Sequence, residues 1–363
     1  MWIPAPVLAI SRRHTATPML SAFVTGGLSS PSTRHSSRLV LRQQLDEVRA
    51  TLEHDEEAVS GFDRSAALLH EQLPSNDALH RMGTWYVFAT ADGDIVSGSV
   101  TEALDASVTW RQGPAVVPLL RAGLPDPAFV LWLDSEHARF SRLDDETLTL
   151  IDEDEADALE GDGHHMGSQH RQGFHQGTHG STITEEVQRR RKATRERVHT
   201  TARRQIQTVL ADAGALILTG PETATSQFLR TLPTAIASRT AIVSGLEIAS
   251  SPTDVIARAR TALHAIADRE LGHWFVVQRE RHQASGRAMF GLAAVENALG
   301  FKAVARVAMS RTFADQHPAD AHRVVMRAIA DGATATVATL DAVPLLDSHA
   351  GGIAAELRFS LPA

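Results

Sequence analysis

The chain has 363 residues, 43% of them hydrophobic and 21% charged, a balance that is typical of globular proteins and excludes a disordered chain, while the length suggests two or three domains. It contains no cysteine, which excludes disulfides, iron–sulfur clusters, thiolate metal sites and cysteine nucleophiles. The formal net charge is −8, so a contact with nucleic acid has to come from a local basic patch and not from overall charge.

The beginning of the chain does not resemble a signal peptide. Met1 to Ile10 is apolar, but no basic region precedes it, and Arg12 and Arg13 follow instead. No apolar run reaches the roughly 18 residues of a membrane-spanning helix. We therefore expect a cytoplasmic protein.

The first third of the chain predicts strands at Met19–Thr25 and Trp85–Thr90, which are apolar and rich in strand-forming residues. Between them, Leu39–Leu52 has leucine and valine near helical spacing and predicts a helix. Further along, Phe129–Leu133 and Ala138–Leu143 form a predicted strand pair, with a turn at residues 134–137. A third short strand is predicted at Thr147–Ile151.

A long helix is predicted from Glu185 to Leu210, with Thr184 as its N-cap. Ala215–Thr219 is typical of a buried strand in a parallel sheet, and Gly220-Pro221 ends it. Ser226–Leu232 predicts a short helix that follows this strand.

The remaining sequence alternates between strand-like and helical segments. Pro252 suits the first turn of a helix that runs to about Gln278 or beyond. The other predicted elements are helices at Ala288–Leu299 and His322–Ala330 and strands at Thr240–Ser244, Ala303–Ala308, Thr334–Thr339 and Ile353–Phe359. This alternation predicts an α/β protein, doubly wound or a three-layer sandwich. We place domain boundaries near residues 123 and 275, which gives domains 1–123, 124–275 and 276–363.

Charge is unevenly distributed around a glycine- and histidine-rich segment. Asp144–Glu160 contains nine acidic residues and no basic one, whereas Gly161–Gly180 contains six glycines and five histidines. Such a segment predicts a long mobile loop, which we extend over residues 161–183. Its candidate RNA-binding residues are His164, His165, His170, Arg171, His175, His179 and Gly180. A disordered linker and an adventitious histidine metal site are the alternatives.

The segment after this loop is strongly basic. Arg189–Arg204 contains eight Lys or Arg residues and a single Glu, on the predicted long helix. The candidate phosphate-binding residues of this helix are Arg189, Arg190, Arg191, Lys192 and Arg195. A merely solvated helix face is the alternative. The loop and the basic helix are adjacent, and this favours RNA binding over a solvated helix face, because a flexible tip on a basic helix can enter a narrow anionic space.

Residues 175–221, HQGTHGSTITEEVQRRRKATRERVHTTARRQIQTVLADAGALILTGP, resemble the central domain of archaeo-eukaryotic class-one release factors and of their relative Pelota. Residues 285–310 and 349–359 are similar to elements of that family's third domain, and PMLSAFVT with the following helix is similar to the N-terminal domain of bacterial members. The resemblance implies three α/β domains: an N-terminal one, an RNase H-like central one with the loop, and a C-terminal α/β/α sandwich.

One departure from the family separates binding from catalysis. The family hydrolyses peptidyl-tRNA with a Gly-Gly-Gln loop tip, whereas His179-Gly180-Ser181 stands about where that tip would be, with no glutamine after the glycine. The chain resembles the Balon-type ribosome hibernation factors, bacterial relatives without this motif. The resemblance implies that it binds the A site of the 70S ribosome, contacts 16S and 23S rRNA, uses no cofactor or metal, and can be accompanied by elongation factor Tu.

Two further points follow from this resemblance. The N-terminal domain would lie at the decoding centre, where Arg34, His35 and Arg38 are candidate rRNA contacts, an ordinary surface turn being the alternative. No residue is assigned a catalytic role. The competing functions are a peptidyl-tRNA hydrolase or rescue factor with a substituted tip, with His175 or His179 as base, and an RNA endonuclease.

Overall fold

The computed structural model describes residues 3–26, 31–79, 82–123, 127–134, 137–144, 147–155, 180–210 and 214–361. The chain divides into two compact units: unit 1 comprises Met1–Leu124 and Asp268–Ala363, and unit 2 comprises Pro125–Ala267. Three separate sheets with accompanying helices confirm the predicted α/β class. Across the described ranges, no helix is both long and apolar enough to cross a membrane.

The N-terminal part of unit 1 is an antiparallel sheet with helices on it. Its elements are α1 (Ala5–Arg13), β1 (Pro18–Thr25), α2 (Pro31–Thr51), α3 (Glu56–Gln72), α4 (Asn76–Leu79), β2 (Thr84–Thr90), β3 (Ile95–Val100), β4 (Ser107–Gln112) and α5 (Val117–Ala122). The strand order is β3-β2-β1-β4, and every pairing is antiparallel. The strands predicted at Met19–Thr25 and Trp85–Thr90 and the helix predicted at Leu39–Leu52 are confirmed.

Strand β1 is buried on both faces, which explains its continuous apolar run. Leu20, Ala22 and Val24 face one core together with residues of α2 and α3. Met19 and Phe23 alternate with them and belong to a different core, as expected from the two-residue period of a strand.

Unit 2 is built on a five-stranded mixed sheet. Its elements are β5 (Ala128–Leu133), β6 (His137–Asp144), β7 (Thr147–Glu155), α6 (Gly180–Val209), β8 (Ala215–Thr219), α7 (Glu222–Leu229), α8 (Thr234–Ala237), β9 (Thr240–Val243) and the first part of α9 (Pro252–Ser285). The order is β7-β6-β5-β8-β9, with β5, β8 and β9 parallel. Gly220 follows β8 at φ +130, where a Cβ would lie 2.1 Å from the Leu133 carbonyl oxygen, so only glycine fits this close approach.

The C-terminal part of unit 1 is a sheet with helices on both faces. It contains the end of α9 and β10 (Ala288–Phe290), α10 (Leu292–Gly300), β11 (Val304–Ser310), α11 (Arg311–Gln316), α12 (Pro318–Ala330), β12 (Thr334–Ala338), α13 (Ala342–Ala350) and β13 (Ile353–Leu357). The strand order is β10-β13-β11-β12. Val307 packs with residues of α10 and α12, whereas its neighbour Ala308 packs with α9 and α13. The predicted three-layer arrangement is present here.

The N-terminal and C-terminal parts of unit 1 share one hydrophobic core. Val7 of α1 and Leu119 of α5 are fully buried in the same cluster as Val325 of α12 and Val337 of β12. Helix α1 contacts α12, and α5 contacts β12. The division into domains at residues 123 and 275 stays a prediction, because compactness alone does not show which segments fold independently.

Three predicted elements need correction. Helix α6 begins at Gly180, so Thr184 lies inside the helix and is not its N-cap; the threonine and isoleucine residues there have modest helix propensity but do not break a helix. The helix predicted at Ala288–Leu299 is strand β10 followed by α10, separated by Gly291 at φ +80. The helix predicted at Ser226–Leu232 begins at Glu222, directly after Pro221, and ends at Leu229.

Candidate nucleic-acid interface

Helix α6 packs on the sheet of unit 2 through one apolar side. Val198, Ala202, Ile206 and Leu210 are buried at four-residue steps, the spacing that places side chains on one face of a helix. They share a core with residues of β5 and β6, among them Phe140. The opposite side of α6 therefore faces solvent.

The exposed side of α6 presents arginines. Positions 189, 193, 197, 200, 204 and 208 are all exposed and recur at steps of three or four residues. Three of them are Arg189, Arg197 and Arg204, and we call these the arginine stripe. With a rise of 1.5 Å per residue, the stripe extends over roughly 22 Å. None of the three forms an ion pair with a side chain that the structure describes, so their charges are directed to solvent.

The acidic strand β7 lies beside this helix. Gln205 Nε2 of α6 donates a hydrogen bond to Asp152 Oδ2 of β7. Other acidic groups of this edge pair locally: Arg139 Nε lies 3.9 Å from Glu153 Oε1, and Arg142 Nε lies 2.7 Å from Asp144 Oδ1. The basic helix and the acidic strand are thus neighbours in the fold, and no acidic side chain that the structure describes pairs with the arginine stripe.

The half-buried His199 of α6 contacts two other segments of unit 2. It lies on α6 between the buried and exposed sides, and its ring meets Phe228 of α7 edge to face, with centroids 5.4 Å apart. Burial lowers the pKa of His199, the charge on Arg195 lowers it further, and a hydrogen bond to the backbone of Asp134 opposes both. The folded protein therefore disfavours the charged form of the ring, whose contacts join α6 to α7 and to the residue that follows β5. His199 is not among the residues predicted from the sequence, although its position next to Val198, at the border of the apolar side of α6, is a signal of partial burial.

The predicted site residues fall into two groups. Arg189 is exposed and belongs to the stripe, whereas Arg195 is half-buried and does not. Arg190, Arg191 and Lys192 lie within α6, with side chains outside the described residues. The binding roles of all five stay predictions.

The predicted loop largely lies outside the described residues. This holds for His164, His165, His170, Arg171, His175 and His179. Gly180, by contrast, is the first residue of α6, so residues 180–183 belong to the helix and the predicted loop boundary at 183 is wrong.

The candidate residues near the N-terminus lie on a helix and not on a surface turn. Arg34 and His35 are part of α2, with side chains outside the described residues. Arg38 is also on α2, and its Nη2 donates to the Pro74 carbonyl oxygen at 2.8 Å. One N–H group of its guanidinium is therefore occupied within the fold. Among the described residues, no group of three or more potential ligands could hold a metal ion.

Comparisons with known proteins place the arginine stripe within a recognised segment. Residues 114–264 match the sequence model of bacterial archaeo-eukaryotic release factor family 10. No curated protein matches the chain. The matched segment, residues 114–264, contains the whole sheet of unit 2 and helix α6.

Several solved structures are similar to the chain at low identity. Archaeoglobus fulgidus Pelota is 16% identical, covers 77% of this chain and 80% of its own, and has a TM-score of 0.41. An archaeal translation termination factor is 16% identical, and the match covers 98% of this chain and 97% of the factor, with a TM-score of 0.27. Thermoplasma acidophilum Pelota is 13% identical, with coverage of 77% and 80% and a TM-score of 0.26. The resemblance that residues 175–221 show in the sequence is confirmed for the segment that contains them, since residues 114–264 match the model of bacterial archaeo-eukaryotic release factor family 10.

Proposed function

We propose that the chain is a ribosome-binding translation factor, and specifically a hibernation factor that occupies the A site of idle 70S ribosomes without hydrolysing peptidyl-tRNA. The observation that supports this most directly is the arginine stripe, which lies unpaired among described side chains within the segment that matches a release factor family. Ribosome binding would place the protein in the cytoplasm.

The stripe suits an RNA backbone. Arginines that contact phosphates neutralise their charge without reading bases, and this electrostatic attraction supplies most of the sequence-independent affinity for nucleic acid. Since the whole chain has a net charge of −8, binding depends on this local cluster. The acidic edge of β7 would repel RNA that approaches from its side, which leaves the outer side of α6 as the surface for phosphate contacts.

The absence of catalysis is inferred from the sequence before α6. No Gly-Gly-Gln occurs in the chain, so the group that positions water in the family is missing. We propose that the histidines and Arg171 of residues 164–179 stack on or hydrogen-bond to 23S rRNA near the peptidyl-transferase centre. Arg34, His35 and Arg38 would contact 16S rRNA at the decoding centre. Elongation factor Tu is proposed as an accompanying partner.

Parallel measurements of ribosome occupancy and peptidyl-tRNA hydrolysis test this function. We expect the parent to bind and not to hydrolyse. Arg189→Ala with Arg197→Ala should lose occupancy, whereas Arg142→Ala, which removes an arginine already paired with Asp144, should bind as the parent does. His175→Ala with His179→Ala should give only a graded loss of affinity.

Two outcomes would replace the proposal. The first is that the parent hydrolyses the peptidyl-tRNA ester, whereas the double histidine variant binds ribosomes but does not hydrolyse it. This result would establish a peptidyl-tRNA hydrolase. Cleaved rRNA or mRNA after incubation with the parent would establish an endonuclease.

A further inference from the structure

Two exposed phenylalanines flank one corner of the C-terminal sheet in unit 1. Phe301 follows α10 and Phe359 follows β13, and they are 51% and 48% exposed. The two segments are joined between them, because the Arg358 backbone N–H donates to the Ala303 carbonyl oxygen at 2.7 Å. Single exposed apolar residues are common on protein surfaces. Two exposed phenyl rings on directly connected segments are less common and call for an explanation.

The residue between Phe301 and β11 adopts an unusual backbone conformation. Lys302 has φ 55, and no other non-glycine residue of the described ranges has a positive φ. Its backbone N–H donates to the Leu299 carbonyl oxygen at 3.0 Å, which closes the end of α10. Glycine is favoured at this position, since a side chain there is strained. The lysine thus keeps a positive charge beside Phe301 at some cost in backbone strain.

The corner is positively charged. Arg358 Nη1 and Nη2 donate to the backbone carbonyl oxygens of Lys302 and Asp331, at 3.4 and 3.0 Å. The Asp331 carboxylate is itself paired with Arg327, whose Nε lies 3.2 Å away. Neither Lys302 nor Arg358 pairs with a carboxylate among the described side chains. Lys302 directly follows Phe301 and Arg358 directly precedes Phe359 in the chain, so each phenylalanine has a cation without a carboxylate partner as its sequence neighbour.

We propose that Phe301, Lys302, Arg358 and Phe359 form a stacking site for the bases of single-stranded RNA. Exposed aromatic rings beside cations are the chemistry with which proteins bind such strands, the rings stacking on bases and the cations meeting phosphates. A protein partner is a poorer fit, because lysine is depleted in the centre of protein interfaces. This site lies in unit 1 and is separate from the arginine stripe of unit 2, so it goes beyond the proposed function.

The test uses the full chain with Arg189, Arg197 and Arg204 replaced by alanine, so that the arginine stripe does not bind the probe, and this protein is the parent of the variants below. Its binding to a fluorescein-labelled oligo(A) strand is followed by fluorescence anisotropy over a range of salt concentrations. Phe301→Ala with Phe359→Ala should weaken binding at least about tenfold, because two base stacks are lost, and should leave the salt dependence unchanged. Lys302→Ala should make the fall of log affinity with log salt concentration less steep, by about 0.7 in slope. Leu340→Ala, which removes a side chain that is 47% exposed in the same unit, should change neither quantity.

Each alternative result overturns the assignment. A double phenylalanine variant that keeps the parent's affinity for oligo(A), with an unchanged melting temperature, would show that the rings bind no bases. If the double variant keeps this affinity but the same two substitutions in the unsubstituted chain abolish ribosome binding, the corner contacts the ribosome in another way than by stacking on single-stranded bases. Because oligo(A) binding is measured without ribosomes, failure of the unsubstituted chain to bind ribosomes would leave this result readable.

Discussion

His322 Nε2 on α12 lies 2.8 Å from the carbonyl oxygen of Gln112 at the end of β4, which joins two residues 210 positions apart in the chain. Burial lowers the pKa of His322; the hydrogen bond to Gln112 raises it and the charge on Arg111 lowers it. The net direction is downward, so the native protein holds the ring neutral. This contact connects the N-terminal and C-terminal parts of unit 1.

We expect the stability of unit 1 to fall as the pH drops below about 6.5, the ordinary pKa of histidine. In that range the unfolded chain binds more protons at His322 than the native state does, so the free energy of unfolding rises with pH and reaches its full value above about 6.5. Denaturant unfolding at about pH 7.5 and 5.5 measures this. His322→Gln should lose less stability on acidification than the parent, whereas His70→Gln, at an exposed position on α3, should behave as the parent does. An NMR titration that gives His322 a pKa of 6.5 or higher would contradict this account.

The shared core predicts that the first and last thirds of the chain unfold together. Leu119 of α5 is fully buried among residues of both parts. Leu119→Ala should therefore cost about 2–5 kcal/mol of unfolding free energy, and it should accelerate hydrogen exchange of the Val324 and Val325 amides on α12. Unchanged protection of α12 in this variant would mean that the two parts unfold independently.

Asp268 stabilises the start of α13 from a distant position in the sequence. Its buried carboxylate accepts hydrogen bonds from the backbone N–H groups of Leu340 at 3.1 Å and Ala342 at 2.8 Å. Asp268→Ala should lower the unfolding free energy by about 1–3 kcal/mol. Asp268→Asn, which keeps an acceptor oxygen, should lower it less. Hydrogen exchange of the Leu340 and Ala342 amides locates the effect, and slow exchange in the alanine variant would refute it.

The arginine stripe predicts a measurable number of phosphate contacts. Log ribosome affinity falls as log salt concentration rises, and replacing Arg189, Arg197 and Arg204 by alanine should make this slope less steep by about 2, at roughly 0.7 for each lost contact. Arg142→Ala should leave the slope as it is. If the triple variant binds with the parent's slope, α6 presents only a solvated face.

Two of the strands that the sequence predicted have continuous apolar runs. β1 and β5 are buried on both faces, so burial alone identifies them. β3 and β4 were missed, since their serine, glycine and threonine residues are half-exposed and resemble loop sequence. β10 has only three residues and exists because it pairs with β13, a partner more than 60 positions away that no local pattern reveals.

The helix of the candidate site and its basic charge were predictable from the sequence, but which of its basic side chains are exposed was predictable only in part. The four-residue spacing of Val198, Ala202 and Ile206 already orients α6. Counting basic residues, however, did not separate the exposed Arg189 from the half-buried Arg195. The contact between His199 and Phe228 depends on how α6 and α7 lie on one sheet, which is a property of the fold and not of either segment.

The most direct test of the central claim is sedimentation of the full chain with vacant 70S ribosomes through a sucrose gradient at low and high salt, with peptidyl-tRNA hydrolysis measured on the same preparation. We predict that the protein moves with the 70S peak at low salt, leaves it at high salt, and releases no peptide. Protein that stays at the top of the gradient at every salt concentration would contradict ribosome binding, and released peptide would contradict occupation without catalysis.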